Sequence, residues 1–279
     1  MDGWETLPSP GGIAVPAGGR RNVRRTVFRV LSRNLSIETD DDLVSTYLRE
    51  AYGRLIATPE PIVPLDHAAI LTGGVTPCVR FDGKPIPVDA TLDRTSFAFA
   101  GANCVFRRCF LRDRAHSAWY AAGIMANGTG VLLSAPSGTG KTTLTLELLR
   151  RGYGLYGDEY VFVRRADRML VGIRRALMVR DGDTIRHDID PDVLFGRPVF
   201  APPAPLGSAF LLERGSRSLV LPLSPLVFAM SIAPRVGHHE EGLERLSSLV
   251  AMLTNVTCYR LVMADTASAA EALLETVYG

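Results

Sequence analysis

The stretch SAPSGTGKTTLTLELLRRGYGLYGDEYV, residues 134 to 161, combines residue types at a spacing that could bind a phosphate. Ala135 to Thr142 follows the Walker A pattern G-x-x-x-x-G-K-[ST], except that alanine stands at the first position. In such a loop the backbone N–H groups and the positive end of the next helix surround phosphate oxygens, while Lys141 neutralises the terminal phosphates. The hydroxyl of Thr142 is available to magnesium. The pattern therefore predicts a nucleotide site.

The alanine at the start of the loop raises the question of whether the chain can still turn there. Alanine tolerates a positive φ poorly, so Ala135 requires either an ordinary φ or some strain. Gly138 and Gly140 still permit close approach of the backbone, and we expect nucleotide binding to survive. The alternative is a Gly/Ser-rich turn without a ligand. The predicted phosphate-binding residues are Pro136, Ser137, Gly138, Thr139, Gly140, Lys141, Thr142 and Thr143.

Two adjacent carboxylates, Asp158 and Glu159, follow the helix that ends at Arg150-Arg151-Gly152. The segment LYGDEYVFV is predicted as one strand, on which neighbouring side chains point to opposite faces. Both acids can serve one site only if the backbone bends or one side chain reaches around. Such a pair suits phosphoryl transfer, with one carboxylate on magnesium and one near the attacking hydroxyl. The alternative is an exposed strand end with two solvated acids.

The loop needs a strand before it and a helix after it, and the sequence provides both. An apolar strand runs from Gly130 to Ser134 after an Asn127-Gly128 turn, and AWYAAGIMA is predicted as one strand before that turn. The amphipathic segment TTLTLELLRR follows the loop as a helix. Farther on we predict short strands, a helix over EGLERLSSLVAMLTN, a strand at CYRLVM and a closing helix capped by Thr266.

The residues before the loop predict a mobile tail over residues 1–22 and a strand-rich α+β region over residues 23–115. The predicted elements are strand-like structure over residues 26–37, a helix capped among Asp40 to Asp42, a hairpin at Asp82-Gly83, and a helix over residues 93–112. One face of the first helix is predicted to carry Leu43, Tyr47, Ala51 and Leu55. The basic cluster of Arg20, Arg21, Arg24 and Arg25 is interpreted as a solvated strand entry.

Composition limits the classes of partner. Lys and Arg total 31 against 29 Asp and Glu, a formal charge of +2, so no global basic field favours nucleic acid. The four cysteines show no C-x-x-C pair, which favours reduced, buried thiols over a structural metal. No secretion signal or membrane-length apolar run is present, and we expect a cytoplasmic protein without a membrane partner.

The segment GVLLSAPSGTGKTTLTLELLRRGYGLYGDEYVFV resembles the C-terminal catalytic domain of the HPr kinase/phosphorylase family, and more closely the HPr kinase-like relatives found beside peptide-modification genes. The shared pattern is a P-loop, a helix ending in Arg-Gly, and a strand with two acids at the same spacing. The resemblance is strong over residues 120–165 and weaker from Ala209 to the end. It implies an α/β P-loop kinase domain of HPr kinase type, a mixed sheet with flanking helices, over residues 116–279.

The activity implied by this resemblance is ATP-dependent phosphorylation of a serine on a protein or ribosomal precursor peptide. Lys141 is then the phosphate-binding lysine, and Thr142 and Asp158 hold magnesium. Glu159 stands at the second acidic position, which in the family accepts the proton of the substrate hydroxyl. The implied catalytic residues are thus Lys141, Asp158 and Glu159. Homo-oligomerisation, the identity of the acceptor and the choice among ATP, GTP and pyrophosphate stay open.

The chain departs from the family pattern at several positions. The family histidine on the preceding strand falls on Tyr120, with His116 four residues earlier. The signature Glu-Ile-Arg-Gly-Leu-Gly is replaced by a segment that begins at Gly172 and lacks the metal-binding glutamate, which puts reverse phosphorolysis in doubt. Arg235 could clamp the transferring phosphate or be an exposed structural arginine. His238 and His239 are interpreted as part of a solvated loop rather than a metal site.

Two other functions stay open on the sequence alone. One is a nucleotide-binding module that regulates a partner without transferring phosphate, which Ala135, Tyr120 and the missing glutamate favour. The other is a kinase that acts on a small alcohol.

Overall fold

The computed structural model describes residues 22–74, 76–181, 184–237 and 242–279. Arg20, Arg21, His238, His239 and the predicted tail up to residue 21 therefore lie outside the described residues. The strands are β1 (Arg24–Val30), β2 (Arg33–Thr39), β3 (Leu65–Leu71), β4 (Cys78–Phe81), β5 (Lys84–Ile86), β6 (His116–Trp119), β7 (Ala122–Ala126), β8 (Thr129–Ser134), β9 (Gly154–Gly157), β10 (Val161–Arg164), β11 (Met169–Val171), β12 (Leu177–Asp181), β13 (Thr184–Ile189), β14 (Ala204–Arg214), β15 (Leu219–Leu223), β16 (Val236–Gly237) and β17 (Thr257–Met263). The helices are α1 (Asp42–Tyr52), α2 (Arg94–Arg112), α3 (Lys141–Arg150), α4 (Pro191–Phe195), α5 (Pro225–Ile232), α6 (Gly242–Met252) and α7 (Thr266–Tyr278).

The first five strands form a sheet in the order β1-β2-β3-β4-β5. The strand-like content predicted over residues 26–37 is confirmed, but it forms two strands, because the chain reverses at Leu31, with φ of 55°, and β1 pairs antiparallel with β2. The turn is held from elsewhere in the fold. The Asp113 carboxylate accepts hydrogen bonds from the backbone N and the Oγ of Ser32 at 3.0 and 2.6 Å. A partner so distant in sequence leaves no local signal for the turn.

Both predicted hairpin turns are confirmed. Asp82 and Gly83 have φ of 47° and 74°, and Asn127 and Gly128 have φ of 51° and 70°. A type I′ turn requires positive φ at both central residues, which Asn-Gly and Asp-Gly pairs adopt at low cost. The second of these turns joins β7 to β8 and so positions the strand that leads into the loop.

The two helices predicted before residue 115 are confirmed as α1 and α2, with Asp41 and Asp93 as their N-caps. The predicted apolar face of α1 is partly wrong. Of its four predicted residues only Ala51 is buried, and the remaining core contacts come from Val44, Leu48 and Tyr52, which are also buried. Leu43, Tyr47 and Leu55 pack at the margin of this core.

The Asp41 carboxylate joins α1 to α2 and to the end of β3. Its oxygens accept hydrogen bonds from Nε and Nη2 of Arg94, each at 2.6 Å, and from Oγ1 of Thr72 at 2.5 Å. Burial alone would raise the pKa of Asp41, but the hydrogen bonds from Arg94 and Thr72 lower it to about 2. A depressed pKa contributes stability that is present above the unfolded value and is lost as the pH falls through the folded value.

We expect Asp41→Asn to lower the free energy of unfolding at pH 7 by about 1 to 2 kcal/mol, a value reduced for the solvent exposure of Arg94. The difference from wild type should shrink as the pH falls below about 4 and close near pH 2, as denaturant titrations over this range would measure. Asp42→Asn is the control, because the ion pair between Asp42 and Arg24 lies exposed at the surface. A difference that does not change with pH would contradict the assignment.

A ten-stranded sheet contains most of the remaining strands, in the order β16-β6-β10-β11-β14-β8-β7-β9, with β17 beside β14 and β15 beside β17. β14 runs parallel to β8 and β17, whereas β7 is antiparallel to β8, so this is the mixed sheet that was predicted. Helices α3 and α7 bury their apolar faces against this part of the sheet. The loop therefore leaves the carboxyl end of an interior strand.

The prediction of one strand over AWYAAGIMA is wrong. β6 ends at Trp119 and pairs with β10 and β16, while β7 begins at Ala122 and pairs with β8 and β9. The break is held by backbone partners from two other segments. The N–H of Tyr120 donates to the carbonyl of Arg235 at 2.9 Å, and that of Ala121 donates to the carbonyl of Glu159 at 3.2 Å. This break brings Tyr120 beside the second predicted carboxylate.

One buried apolar core joins the first sheet to α1 and α2, and it also includes Ala118, Phe162 and Ile173. Those three residues lie beyond the predicted boundary at residue 115, and the division of the chain at that point stays a prediction. Cys109 and Cys258 are buried as predicted, whereas Cys78 and Cys104 are only half-buried. In the described part of the chain, none of the helices combines the length and apolar character needed to cross a bilayer.

The sequence analysis missed α4 and α5. Each begins with proline behind a capping side chain, Asp190 for α4 and Ser224 for α5. Proline is favoured at the first helical position because the N–H that it lacks would have no partner there. The closing helix begins at Thr266 as predicted, but the residue that caps it is Asp265, whose carboxylate accepts a hydrogen bond from the N–H of Ser268 at 2.9 Å.

Candidate active site

The loop between β8 and α3 answers the question raised by its alanine. Ala135 is fully buried and is not among the described residues with positive φ. The left-handed conformations fall on Gly138 and Gly140, with φ of 81° and 103°. The turn therefore uses its two glycines, and the alanine takes an ordinary φ without strain.

The guanidinium of Arg214 lies close to the loop at Gly140. A Cβ at this position would lie 2.5 Å from Nη2 of Arg214, so the guanidinium rests against the loop backbone. Arg214 ends β14, is exposed, and pairs with no carboxylate among the residues that the structure describes. The sequence analysis missed this residue, since only the parallel pairing of β14 with β8 brings it to the loop.

The structure brings together Lys141, Thr142 and Asp158. Oγ1 of Thr142 donates to Oδ2 of Asp158 at 2.6 Å, and Nζ of Lys141 lies 3.5 Å from Oδ1 of the same carboxylate. The lysine Nζ also donates to the backbone carbonyl of Asp158. The side chains of Lys141 and Asp158 are only 10% and 8% exposed. At this burial, removing any one of the three leaves a polar group without its partner.

The two carboxylates reach the same cavity because the chain bends between them. The prediction of one strand over LYGDEYVFV is wrong, since β9 ends at Gly157, β10 begins at Val161, and the two pair with different neighbours. A Cβ at Gly157 would lie 2.5 Å from the carbonyl oxygen of Tyr160, so a glycine permits this tight turn. The bend that was required for both acids to serve one site is therefore present.

Glu159 is held by Arg175, which is itself anchored by residues from the first half of the chain. Nη1 of Arg175 donates to Oε2 of Glu159 at 2.5 Å, and Nη2 of Arg175 donates to Oδ1 of Asn103 at 3.1 Å. The hydroxyl of Tyr52 donates to the same oxygen of Asn103 at 3.0 Å, and the Arg175 guanidinium lies 4.8 Å from the centroid of the Tyr52 ring. Helices α1 and α2 thus anchor the cation that holds this carboxylate.

These groups surround a cavity of about 290 Å³. The predicted phosphate-binding residues line it except for Thr139, whose Oγ1 donates to the carbonyl of Pro136 at 2.9 Å. Asp158 and Glu159 line it together with Arg175 and Arg214, two cations that the sequence analysis did not select. Its apolar wall includes Leu146, Ile173, Leu177 and Val179. A cavity lined by both cations and apolar side chains suits a ligand with both phosphates and a flat base.

The donor set at Thr142 and Asp158 fits magnesium. Oδ1 of Asp158 is buried and accepts no hydrogen bond from any residue that the structure describes, which leaves a carboxylate oxygen available beside the threonine hydroxyl. Clusters of three or more His, Cys, Asp or Glu that could enclose a metal are absent from the described residues. Magnesium does not need such a cluster, because it keeps several waters and uses one or two protein oxygens with substrate phosphates.

Comparison with curated proteins identifies the relatives of this chain. It is 38% identical over 80 residues to an HPr kinase/phosphorylase of Chlorobium limicola and 32% identical over 114 residues to that of Bordetella avium. Over the matched residues the chain is similar to HPr kinase/phosphorylases. The matches cover 28% and 37% of this chain and 23% and 37% of those relatives, so the chain spans little more than a third of their length at most.

Two further comparisons add little to this assignment. No protein-family model matches the chain. The solved structure of the Hpr(Ser) kinase/phosphatase from Coxiella burnetii matches 58% of this chain and 89% of its own, at 15% identity and a TM-score of 0.35, which is too low to establish a shared fold.

Tyr120, which the resemblance places at the position of the family histidine, lines the cavity. Nζ of Lys141 lies 5.5 Å from the centroid of the Tyr120 ring, within the range of a cation–π contact. His116 lies on β6, outside the cavity lining, and its Nδ1 is 3.2 Å from Oδ1 of Asp113. Arg235 also lies outside that lining, with Nη1 donating to the carbonyl of Ser231 at 3.2 Å.

Gly172, which the resemblance places at the position of the family glutamate, lies against the backbone of Tyr156. A Cβ at Gly172 would lie 2.0 Å from the backbone carbonyl oxygen of Tyr156, so no larger side chain fits without moving the backbone. We expect Gly172→Glu to lower the free energy of unfolding by about 3 kcal/mol, the upper end of the usual cost of overpacking. Denaturant titration would measure the loss, with turnover assayed in parallel.

Gly53→Glu is the matched control for this substitution. Gly53 has φ of −55°, and nothing lies within 4 Å of its Cβ position, so the same side chain should be tolerated there. A Gly172→Glu protein as stable as wild type would contradict the steric argument.

Proposed function

We propose that this protein is an ATP-dependent serine kinase that acts on a protein or peptide. The observation that carries the proposal is the cluster of Lys141, Thr142 and Asp158 at the loop, with Glu159 as the next residue on the same cavity. Phosphoryl transfer needs groups that bind the phosphates and a group that orients the attacking hydroxyl. The two kinds of group occur here within one cavity.

Each residue has a defined part in the proposed transfer. The loop amides and Lys141 bind the phosphates of ATP, and Arg214 adds a second cation at the loop. Glu159 accepts the proton of the serine hydroxyl, whose oxygen forms the new bond to the terminal phosphorus. The bond from that phosphorus to the bridging oxygen breaks, and ADP leaves. Thr142 and Asp158 would hold magnesium, which supplies charge neutralisation at the phosphates when it is bound.

The ion pair between Glu159 and Arg175 is compatible with this role. In a loose transition state the new bond to phosphorus has hardly formed, so the hydroxyl loses its proton late. Orientation of the nucleophile then matters more than the basicity of the group that accepts the proton. Arg175 and Asn103 fix the direction of the carboxylate, which serves orientation.

The same ion pair favours a second candidate, a nucleotide-binding module that regulates a partner without transferring phosphate. The Glu159 carboxylate already accepts a hydrogen bond from the Arg175 guanidinium at 2.5 Å, so it can hold the fold together instead of orienting a hydroxyl. In this case nucleotide binding would persist without any turnover.

One experiment separates the two candidates and tests the proposal. The purified protein is incubated with ATP and magnesium, alone and with a pool of serine-containing peptides. Mass spectrometry of the peptides and chromatography of the nucleotide then follow both substrates. A kinase gives phosphorylated peptide and ADP in equal amounts. Nucleotide that binds but is never consumed, with or without peptides, would favour the regulatory module.

A further inference from the structure

A second cavity, of about 250 Å³, lies beside the nucleotide cavity and shares two of its walls, Tyr120 and Tyr160. The two rings are in edge contact, with centroids 5.6 Å apart. The Tyr120 ring contacts the Lys141 ammonium, and Tyr160 directly follows Glu159 in the chain. The ring pair therefore separates this second cavity from the groups that bind and transfer the phosphate.

Among the residues that the structure describes, both charged side chains that line the second cavity are cationic. Arg107 of α2 and Arg235 of the turn before β16 line it, whereas no carboxylate of the described residues does. Neither guanidinium pairs with a carboxylate in the part of the chain that the structure describes, and Nη1 of Arg235 donates to the Ser231 carbonyl at 3.2 Å. Phe110, Leu111 and Val236 supply apolar walls. Guanidinium groups bind carboxylates bidentately, so an acidic side chain with an apolar stem suits this cavity.

The position of the cavity relates it to the acceptor rather than to the nucleotide. A serine whose hydroxyl reaches Glu159 brings its neighbours along, since an extended chain advances about 3.3–3.6 Å per residue. The second cavity begins at the residue after Glu159, so side chains one to three positions from the serine are within reach of it.

We infer that the second cavity binds an acidic side chain that flanks the acceptor serine in a peptide substrate, with Arg107 and Arg235 as the partners of its carboxylate. The inference deepens the proposed function and rests on it. A peptide with basic residues beside the serine is repelled by the same two cations.

Binding of two labelled probe peptides tests this assignment. The peptides differ only beside a central serine, where one carries glutamate and the other lysine. Both are titrated with the full-length protein by fluorescence anisotropy, with and without ADP and magnesium. We expect the glutamate peptide to bind at least about 10-fold more tightly. The double variant Arg107→Glu with Arg235→Glu should reverse the preference, while its circular dichroism spectrum and ADP affinity stay those of wild type.

The control is Arg108→Glu. Arg108 is the next residue on α2 and lines neither cavity. This variant should keep the wild-type preference. Equal affinities for the two peptides, no binding of either, or the same reversal in Arg108→Glu would each overturn the inference. Calorimetry of ADP on the wild-type protein distinguishes the two proposals, because failure to bind ADP counts against the kinase. A protein that binds ADP but does not discriminate between the peptides loses only the acidic subsite.

Discussion

Lys141→Ala and Asp158→Asn should each reduce phosphate transfer by about 10³-fold or more while the protein stays folded. Lys141 is the cation at the loop that both contacts Asp158 and lines the cavity, so its loss removes the charge that neutralises the terminal phosphates. Asp158→Asn keeps the shape of the side chain but removes the charge beside the Thr142 hydroxyl. Mass spectrometry of the acceptor peptide under single-turnover conditions would measure both losses.

The controls for these variants use the same residue types elsewhere. Lys84→Ala changes an exposed lysine on β5. Asp89→Asn changes an exposed aspartate whose carboxylate accepts hydrogen bonds from Thr91, two residues farther on. Both should retain wild-type turnover. Thermal unfolding of all four proteins shows whether a loss of activity comes from a loss of structure. Retention of turnover in both Lys141→Ala and Asp158→Asn would refute the proposed kinase site.

Glu159→Gln should lower kcat by about 10²- to 10⁴-fold, with little change in the affinity for ATP, because general acid–base groups contribute to that extent. The substitution removes the proton acceptor and weakens the contact with Arg175, yet it touches none of the loop residues that bind phosphate. Steady-state kinetics with ATP and peptide varied separately would show the loss in kcat.

The matched control is Glu147→Gln on α3, where the carboxylate pairs with Arg151 outside the cavity. It should leave both kcat and the affinity for ATP unchanged. A Glu159→Gln enzyme with wild-type kcat would remove Glu159 from the transfer step and leave the loop assignment intact.

Much of the loop could be predicted from sequence because its determinants are local. The strand before it, the helix after it and the lysine at the helix start are set by residues within one short segment. The ordinary φ of Ala135 was one of two outcomes that the sequence left open, and the positive φ at Gly138 and Gly140 resolves it.

The bend at Asp158 was not predicted, because it depends on which strands β9 and β10 join. LYGDEYVFV has continuous strand-like composition, and nothing in it shows that its two halves pair with β7 and β6. For the same reason the sequence does not identify Arg175 and Arg214 as residues of the cavity. Each is an ordinary arginine in the sequence and becomes part of the cavity only through long-range packing.

The missed helix α5 illustrates a different error. Its sequence PLVFAMSI is apolar except for Ser231 and follows the strand-like LVLPL, which together predict an extended segment. Ser224 caps the helix and Pro225 occupies the first helical position, which is a start signal rather than a break. Periodicity offered no help, because a helix this apolar on every side has no polar face to mark its period.

The link from Tyr52 through Asn103 and Arg175 to Glu159 bears on whether the two halves of the chain can be exchanged independently. A chimera that joins residues 116–279 to the first half of a relative would keep every loop residue. It would still change the residues that hold Arg175 against the Glu159 carboxylate. We expect such chimeras to turn over peptide only when a tyrosine and an asparagine equivalent to Tyr52 and Asn103 are retained, which assays of paired chimeras would show. Recombination between the halves would then be constrained at two positions that lie far in sequence from the phosphate-binding loop.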